Sequence, residues 1–221
     1  ISSAASDVYK RQFHNRSGSY ISLGGVYEVK NKSTTIKEIT AKVIRQSDNA
    51  TLSLIWSTFP SPICRRVAGN FETSFETAHP FKVEADTLAP AFVEFVDKCA
   101  NMDEVSNNIL YPVVCATMPI FSQPNATLPI VDGAVRALPE YALAKIALND
   151  HFFWKADEYE MVITTIHSKG TFDKKYVFSL SDAESLRLRN NIDSVLISHV
   201  ANHFGIPVQM NTVTKDFKGK K

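Results

Sequence analysis

Cysteine is scarce in this sequence: Cys64, Cys99 and Cys115 are its only three. They are widely spaced and odd in number, which leaves no close pair of the kind a zinc site uses. Three reduced or buried thiols are expected, although one disulfide beside a free thiol also satisfies the spacing. An excess of charge of one sign is lacking too, with 24 basic and 23 acidic side chains. The basic footprint of a nucleic-acid binder is therefore missing, and no nucleic-acid partner is expected. No apolar run approaches the roughly 18 residues that a membrane-spanning helix needs. Also missing are a Gly-x-Ser-x-Gly elbow, a phosphate-cradling glycine loop and a dinucleotide fingerprint. Asp, His and Ser are plentiful, but a catalytic triad is defined by geometry and none can be picked from spacing alone. No cofactor is expected.

What is there begins with an unusual start. Residues 2–12 read Ser-Ser-Ala-Ala-Ser-Asp-Val-Tyr-Lys-Arg-Gln. In this order they resemble the translation of the adapter used in transposase-based sequencing libraries. Residues 1–12 are accordingly expected to be adapter-derived rather than native, and are set aside from fold reasoning. A truncated N-terminus is the matching expectation, with any signal peptide or membrane tether lying upstream of Phe13. Without Asp7, Lys10 and Arg11 the formal charge falls from +1 to zero.

The remaining chain, 13–221, is read as a single domain. A hydrophobic fraction of 44%, with 14 Phe and 7 Tyr, is enough to build a buried core. Apolar residues alternate at Ile21, Leu23, Tyr27 and Val29, again at Ile39, Ala41 and Val43, and again at Leu52, Leu54 and Trp56. Turn residues separate these runs, so three short strands are predicted. Gly24-Gly25 inside the first predicts a bulge or a close backbone approach. Phe59-Pro60-Ser61-Pro62 predicts a loop or an edge, and Phe71, Thr73 and Phe75 a weaker strand. Phe81, Val83 and Ala85, then Ala91, Val93 and Phe95, predict two strands paired across a turn. Near the end, Tyr159, Met161 and Ile163 and then Tyr176, Phe178 and Leu180 predict a hairpin through Ser168-Lys169-Gly170. It runs into the capping box Ser181-Asp182-Ala183-Glu184.

The pattern Leu23-x-Gly25-x-Tyr27-x-Val29-x-Asn31-x-Ser33, with Pro80-Phe81-x-Val83, Val93-x-Phe95 and the later Phe153-Trp154-Lys155-Ala156-Asp157-Glu158-Tyr159, resembles uncharacterised bacterial proteins with an immunoglobulin-like β-sandwich. The resemblance implies a mainly β fold and a non-catalytic role, and carries over no functional residues.

Between the strands, about 100–150 reads as an irregular insertion. Val113, Cys115 and Thr117 are compatible with a strand, Pro112, Pro119, Pro124 and Pro129 with loop, and Pro139 to Leu148 with a short helix. The last predicted element is an amphipathic helix over about 182–203. Its apolar face is Leu186, Ile192, Val195, Leu196 and Val200, and Gly205 and Pro207 end it. Val208, Met210 and Thr212 are compatible with a final extended piece. The basic tail of Lys215, Lys218, Lys220 and Lys221 reads as a solvated terminus.

His199 and His203, four apart on that helix, are the candidate metal ligands. They lack the adjacent Glu of a zinc protease and a third ligand placed by spacing, and a structural role at the helix end suits them better. Four Asn-x-Ser/Thr triplets begin at Asn15, Asn31, Asn49 and Asn125, where Asn serves turn chemistry. The function expected is a non-enzymatic binding or structural accessory domain of a larger bacterial protein, with room for a protein partner and for a membrane tether upstream. The alternative is a metal-dependent hydrolase using His199 and His203.

Overall fold

The computed structural model describes residues 11–15, 18–67, 70–97, 105–206, 208, 210–215 and 218–219. Its strands are β1 (Arg11–Asn15), β2 (Gly18–Glu28), β3 (Thr34–Arg45), β4 (Thr51–Val67), β5 (Asn70–Thr77), β6 (Phe81–Val83), β7 (Leu88–Asp97), β8 (Asp157–His167), β9 (Gly170–Leu180) and β10 (Lys218–Gly219). All join one antiparallel sheet in the order β1-β2-β7-β4-β3-β8-β9-β10, with β5 on β4 and β6 on β3. The coarse expectation of a β-rich fold holds, and the sheet is curled into a half-barrel. The described strands form this one sheet where a sandwich has two facing each other.

Strict alternation makes the curl worthwhile. Ile21 and Leu23 on β2 and Val29 just past its end, Ile39, Ala41 and Val43 on β3, Leu52 and Leu54 on β4, and Ala91, Val93 and Phe95 on β7 are all buried. One face of the sheet is thus apolar and must leave water. Register shifts between Ile36 and Glu38, between Trp56 and Thr58, and between Pro60 and Cys64 bend the strands that carry them. The curl is deep enough that the Tyr27 hydroxyl of β2 meets the Thr165 hydroxyl of β8 at 3.3 Å, though β7, β4 and β3 lie between them in the sheet.

Several expectations are corrected at this level. The two strands at Phe81 and Ala91 do not pair with each other among the described residues: β6 pairs β3, and β7 pairs β2 and β4. Phe59 to Pro62, by contrast, is the edge of the two alternatives expected: it is strand with only β5 beside it among the described strands, and a register shift follows Pro60. Asn31 and Asn49 adopt left-handed backbone (φ 73° and 57°) at turns, the conformation asparagine accepts more readily than most residues. The hairpin of β8 and β9 stands as expected, with Tyr159 opposite Phe178 and Met161 opposite Tyr176.

The segment read as an irregular insertion is helical. A π-helical turn (Ser106–Leu110) leads into α1 (Tyr111–Phe121), followed by α2 (Leu128–Arg136) and α3 (Pro139–Asp150). Of the prolines that suggested loop, Pro112 and Pro129 sit in first helical positions and Pro119 lies inside α1, while Pro139 opens α3 as expected. Val113 and Thr117 are buried while Cys115 between them is exposed, which is helical and not strand spacing. The Cys64 side chain and all of Cys99 lie outside the described residues.

The expected final helix is three: α4 (Asp182–Arg189), α5 (Asn191–Leu196) and α6 (Ser198–His203). Its capping box is present in both directions, Ser181 with Glu184. The breaks at Asn190 and Ile197 shift the phase, so Leu188 is buried and Leu186 is 59% exposed, while Ile192, Val195, Leu196 and Val200 are buried as expected. Asn191, wholly buried, clamps the following chain by donating to the Asn211 carbonyl (2.9 Å) and accepting from its N–H (2.6 Å). The described residues of the 208–212 stretch form no strand. Lys215 pairs with Glu184 at 2.6 Å rather than standing in solvent.

Trp154 ties the helices to the sheet. Its indole is 1% exposed and donates to the Ser19 hydroxyl of β2 at 3.0 Å, while its carbonyl accepts from Ser185 of α4 at 2.8 Å. Trp154→Phe leaves that hydroxyl without its donor and opens a small cavity. We expect a loss of about 2 kcal/mol, read as a lower urea midpoint with an unchanged m-value.

Candidate functional site

Among the described residues the two borders of the half-barrel are incompletely paired. β1 covers β2 only from Gly18 to Ser22, so among the described strands Leu23 to Glu28 has β7 on one side and nothing on the other. Among the described residues β10 meets β9 only at Tyr176 and Val177, and Gly170 to Lys175 has no described partner on that side. Beneath this seam lies a cavity of about 60 Å³ whose lining includes Gly25, Tyr27, Ile163, Phe172, Lys174 and Tyr176. It has room for a few waters or one narrow chain.

The sequence makes this hollow through parity. On β2 the inward series runs Ile21, Leu23, Gly25, Tyr27, Val29, and its third member has no side chain. A Cβ placed on Gly25 would meet nothing within 4 Å, so the space exists because glycine stands there. Gly24 faces the other way, and a Cβ there would come within 2.9 Å of the Phe92 ring. The close approach expected of this pair therefore belongs to Gly24, and the register between β2 and β7 passes through it unbroken.

On β9 the inward series is Phe172, Lys174, Tyr176, Phe178, Leu180. Lys174 is half-buried, and no carboxylate among the described residues forms an ion pair with it. Its outward neighbour Lys175 is paired with Glu160 at 3.3 Å. Burial raises the Tyr27 phenol above its ordinary value, partly offset by the Thr165 hydrogen bond. Burial also raises Tyr176, and the nearby Tyr27 adds to the shift. Near neutral pH the site is therefore an apolar slot with two protonated hydroxyls and one cation.

Farther along β2 and β8 the slot gives way to a hollow of about 460 Å³ lined by Lys30, Asn31, Lys32, Thr34, His167 and Lys169 among others. Thr34 bridges the Ser168 hydroxyl (3.0 Å) and Nδ1 of His167 (3.4 Å). The Lys169 N–H donates to that same Nδ1 at 3.3 Å, so the neutral ring carries its proton on Nε2. The carboxylates close by are engaged: Glu84 accepts from Ser33 at 2.7 Å and pairs with Lys82 at 2.8 Å, and Asp86 accepts from the Asn31 N–H at 3.4 Å.

His199 and His203 lie elsewhere, on α6 against α1. Thr117 gives its proton to the Val113 carbonyl (2.7 Å), so His199 must donate through Nε2 to the Thr117 oxygen at 2.9 Å. His203 stacks on Phe121 with centroids 4.0 Å apart. Among the described residues no group of three metal-ligating side chains gathers there or anywhere else. The helix is shared, but the surroundings are those of packing residues.

Sequence reasoning placed Tyr176, Phe178 and Leu180 on one face and stopped there. Extending the series two residues back puts Lys174 inside, and extending the β2 series through Gly25 exposes the gap. Both signals were in the alternation. What could not be read was that β2 and β9 face each other, because their juxtaposition depends on the whole curl.

Comparison with known proteins finds no matching family model, no similar curated protein and no similar solved structure. No helix of the described residues is long and apolar enough to cross a membrane.

The phenol of Tyr27 is expected to ionise above the ordinary tyrosine value of about 10. Its raised value in the fold favours the neutral form, so this stabilisation is complete below about pH 10 and is lost as pH climbs through the folded value. Phenolate absorbance should show one fewer late-titrating tyrosine in Tyr27→Phe than in the wild type, with Tyr141, Tyr159 and Tyr176, also raised by burial, remaining.

Proposed function

We propose that the chain is a non-enzymatic binding module, an accessory domain whose open seam receives an extended ligand with an apolar body and an anionic group. The observation that carries this reading is the slot left by Gly25 beside the half-buried Lys174, which has no ion-pair partner among the described residues. An apolar wall with a few convergent polar groups is the usual make-up of a ligand site, and a cation without a counter-charge in such a place favours an anion. The immunoglobulin-like resemblance is kept as part of this proposal, because it rests on the same β2, β6, β7 and β8 segments that build the half-barrel. The rival hydrolase reading at His199 and His203 gains no third ligand among the described residues.

Octanoate, an apolar chain ending in a carboxylate, is a suitable probe. It is expected to raise the Tm of the wild-type protein saturably. Gly25→Val should fill the slot while keeping the fold, since valine suits a strand and nothing obstructs its Cβ. Loss of the octanoate shift in that variant supports the reading; an equal shift in both proteins, or none in the wild type, overturns it.

A further inference from the structure

The seam carries more than a slot, because one side of it is an open strand edge. The backbone of Leu23–Glu28 offers N–H and C=O groups that no described strand accepts or donates to on that side. Such an edge is a template for another strand. β1 already shows the geometry: it runs antiparallel to β2, with Arg11 opposite Ser22, and its described part ends where the open stretch begins.

We infer that the seam takes an extended acidic peptide segment, added as a strand to the open edge of β2, with an acidic side chain opposite Gly25 and reaching Lys174. The inference rests on the binding reading above and names its ligand class. Residues directly opposite one another in a sheet share a face. A peptide residue opposite Gly25 therefore turns its side chain into the very space that glycine leaves empty. Its neighbours two positions away, opposite Leu23 and Tyr27, also point inward and meet the apolar wall, so they should be apolar. The intervening residues face solvent and are unconstrained. The expected pattern is apolar-x-acidic-x-apolar.

Charge complementarity selects the acidic centre. Lys174 lines the slot, and Lys30, Lys32 and Lys169 line the hollow at its end. The nearest carboxylates on the two border strands, Glu28 and Asp173, fall in the outward series, and Asp173 accepts there from Thr164 at 2.8 Å. A peptide is favoured over a fatty carboxylate because only a peptide uses the unpaired backbone of β2. Gly24-Gly25 lets that backbone be approached closely.

The test uses the full chain and a short capped peptide with a central glutamate, threonine on either side of it and valine beyond. Competition with octanoate and direct titration both report on the seam. Saturable binding is expected, weakened about tenfold when the central residue is glutamine. Binding should vanish in Gly25→Val. In Lys174→Gln the glutamate and glutamine peptides should bind alike, a coupling that mere loss of stability would not produce. N-methylation of the peptide amides that face β2 should abolish binding while leaving every side chain in place. If N-methylated and plain peptides bind equally, strand addition is wrong. If octanoate binds at Gly25 but the peptide does not displace it, the strand inference falls while the binding reading stands; if neither binds, both fall. Binding that appears only after residues 1–10 are removed would make this chain's own N-terminal segment the occupant, and would overturn the inference too.

Discussion

A sheet with one apolar face has to bury that face, and most of this structure follows from how that is done with the strands at hand. The inward series on β2, β3, β4, β7, β8 and β9 are too apolar to meet water. The sheet answers by curling on itself, helped by its bulges, and by accepting a helical layer at one region through Trp154. That layer is a substantial part of the chain, with 34% of it helical beside 39% strand. Curling brings together strands that are far apart in pairing order, and the contact between Tyr27 and Thr165 is its direct expression.

The same constraint creates the seam. A sheet that curls without closing has two borders facing each other across its concave side, and whatever lies between them is decided by a few side chains. Gly24 and Gly25 divide the work. The first lets Phe92 lie over the outer surface of β2, and the second leaves the inner surface vacant. Neither needs a left-handed backbone. Their role is to be small on opposite faces of one strand.

Much of the sheet could be read from alternation alone, because period-two burial is a local property. The hairpin from Asp157 to Leu180 and the capping box at Ser181 are the clearest cases, each specified within a few residues. The helices before them were obscured by proline. Pro112 and Pro129 read as interruptions, yet a first-turn proline costs no helix hydrogen bond, and Pro139 was legible as the helix start it is. Val113 and Thr117 fit both a strand and a helix period, and only the exposure of Cys115 separates the two. The single long helix expected over 182–203 failed for a different reason. Its apolar positions fit one smooth helix except Leu186, and the offsets at Asn190 and Ile197 depend on how Asn191 grips the backbone of Asn211. The seam was illegible because no local pattern records which strands end up as neighbours across a curl.

Lys174 also bears on how this molecule behaves among copies of itself. Two strand borders that the described strands only partly cover, beside an apolar slot, invite edge-to-edge zipping, the first step toward ordered aggregates. A charge pointing inward at such a border makes that dry contact unfavourable, since a second copy of β9 would bring another lysine against the first. On the reading proposed above, the residue that would draw an acidic strand to the seam is also one that opposes its closing on a second copy.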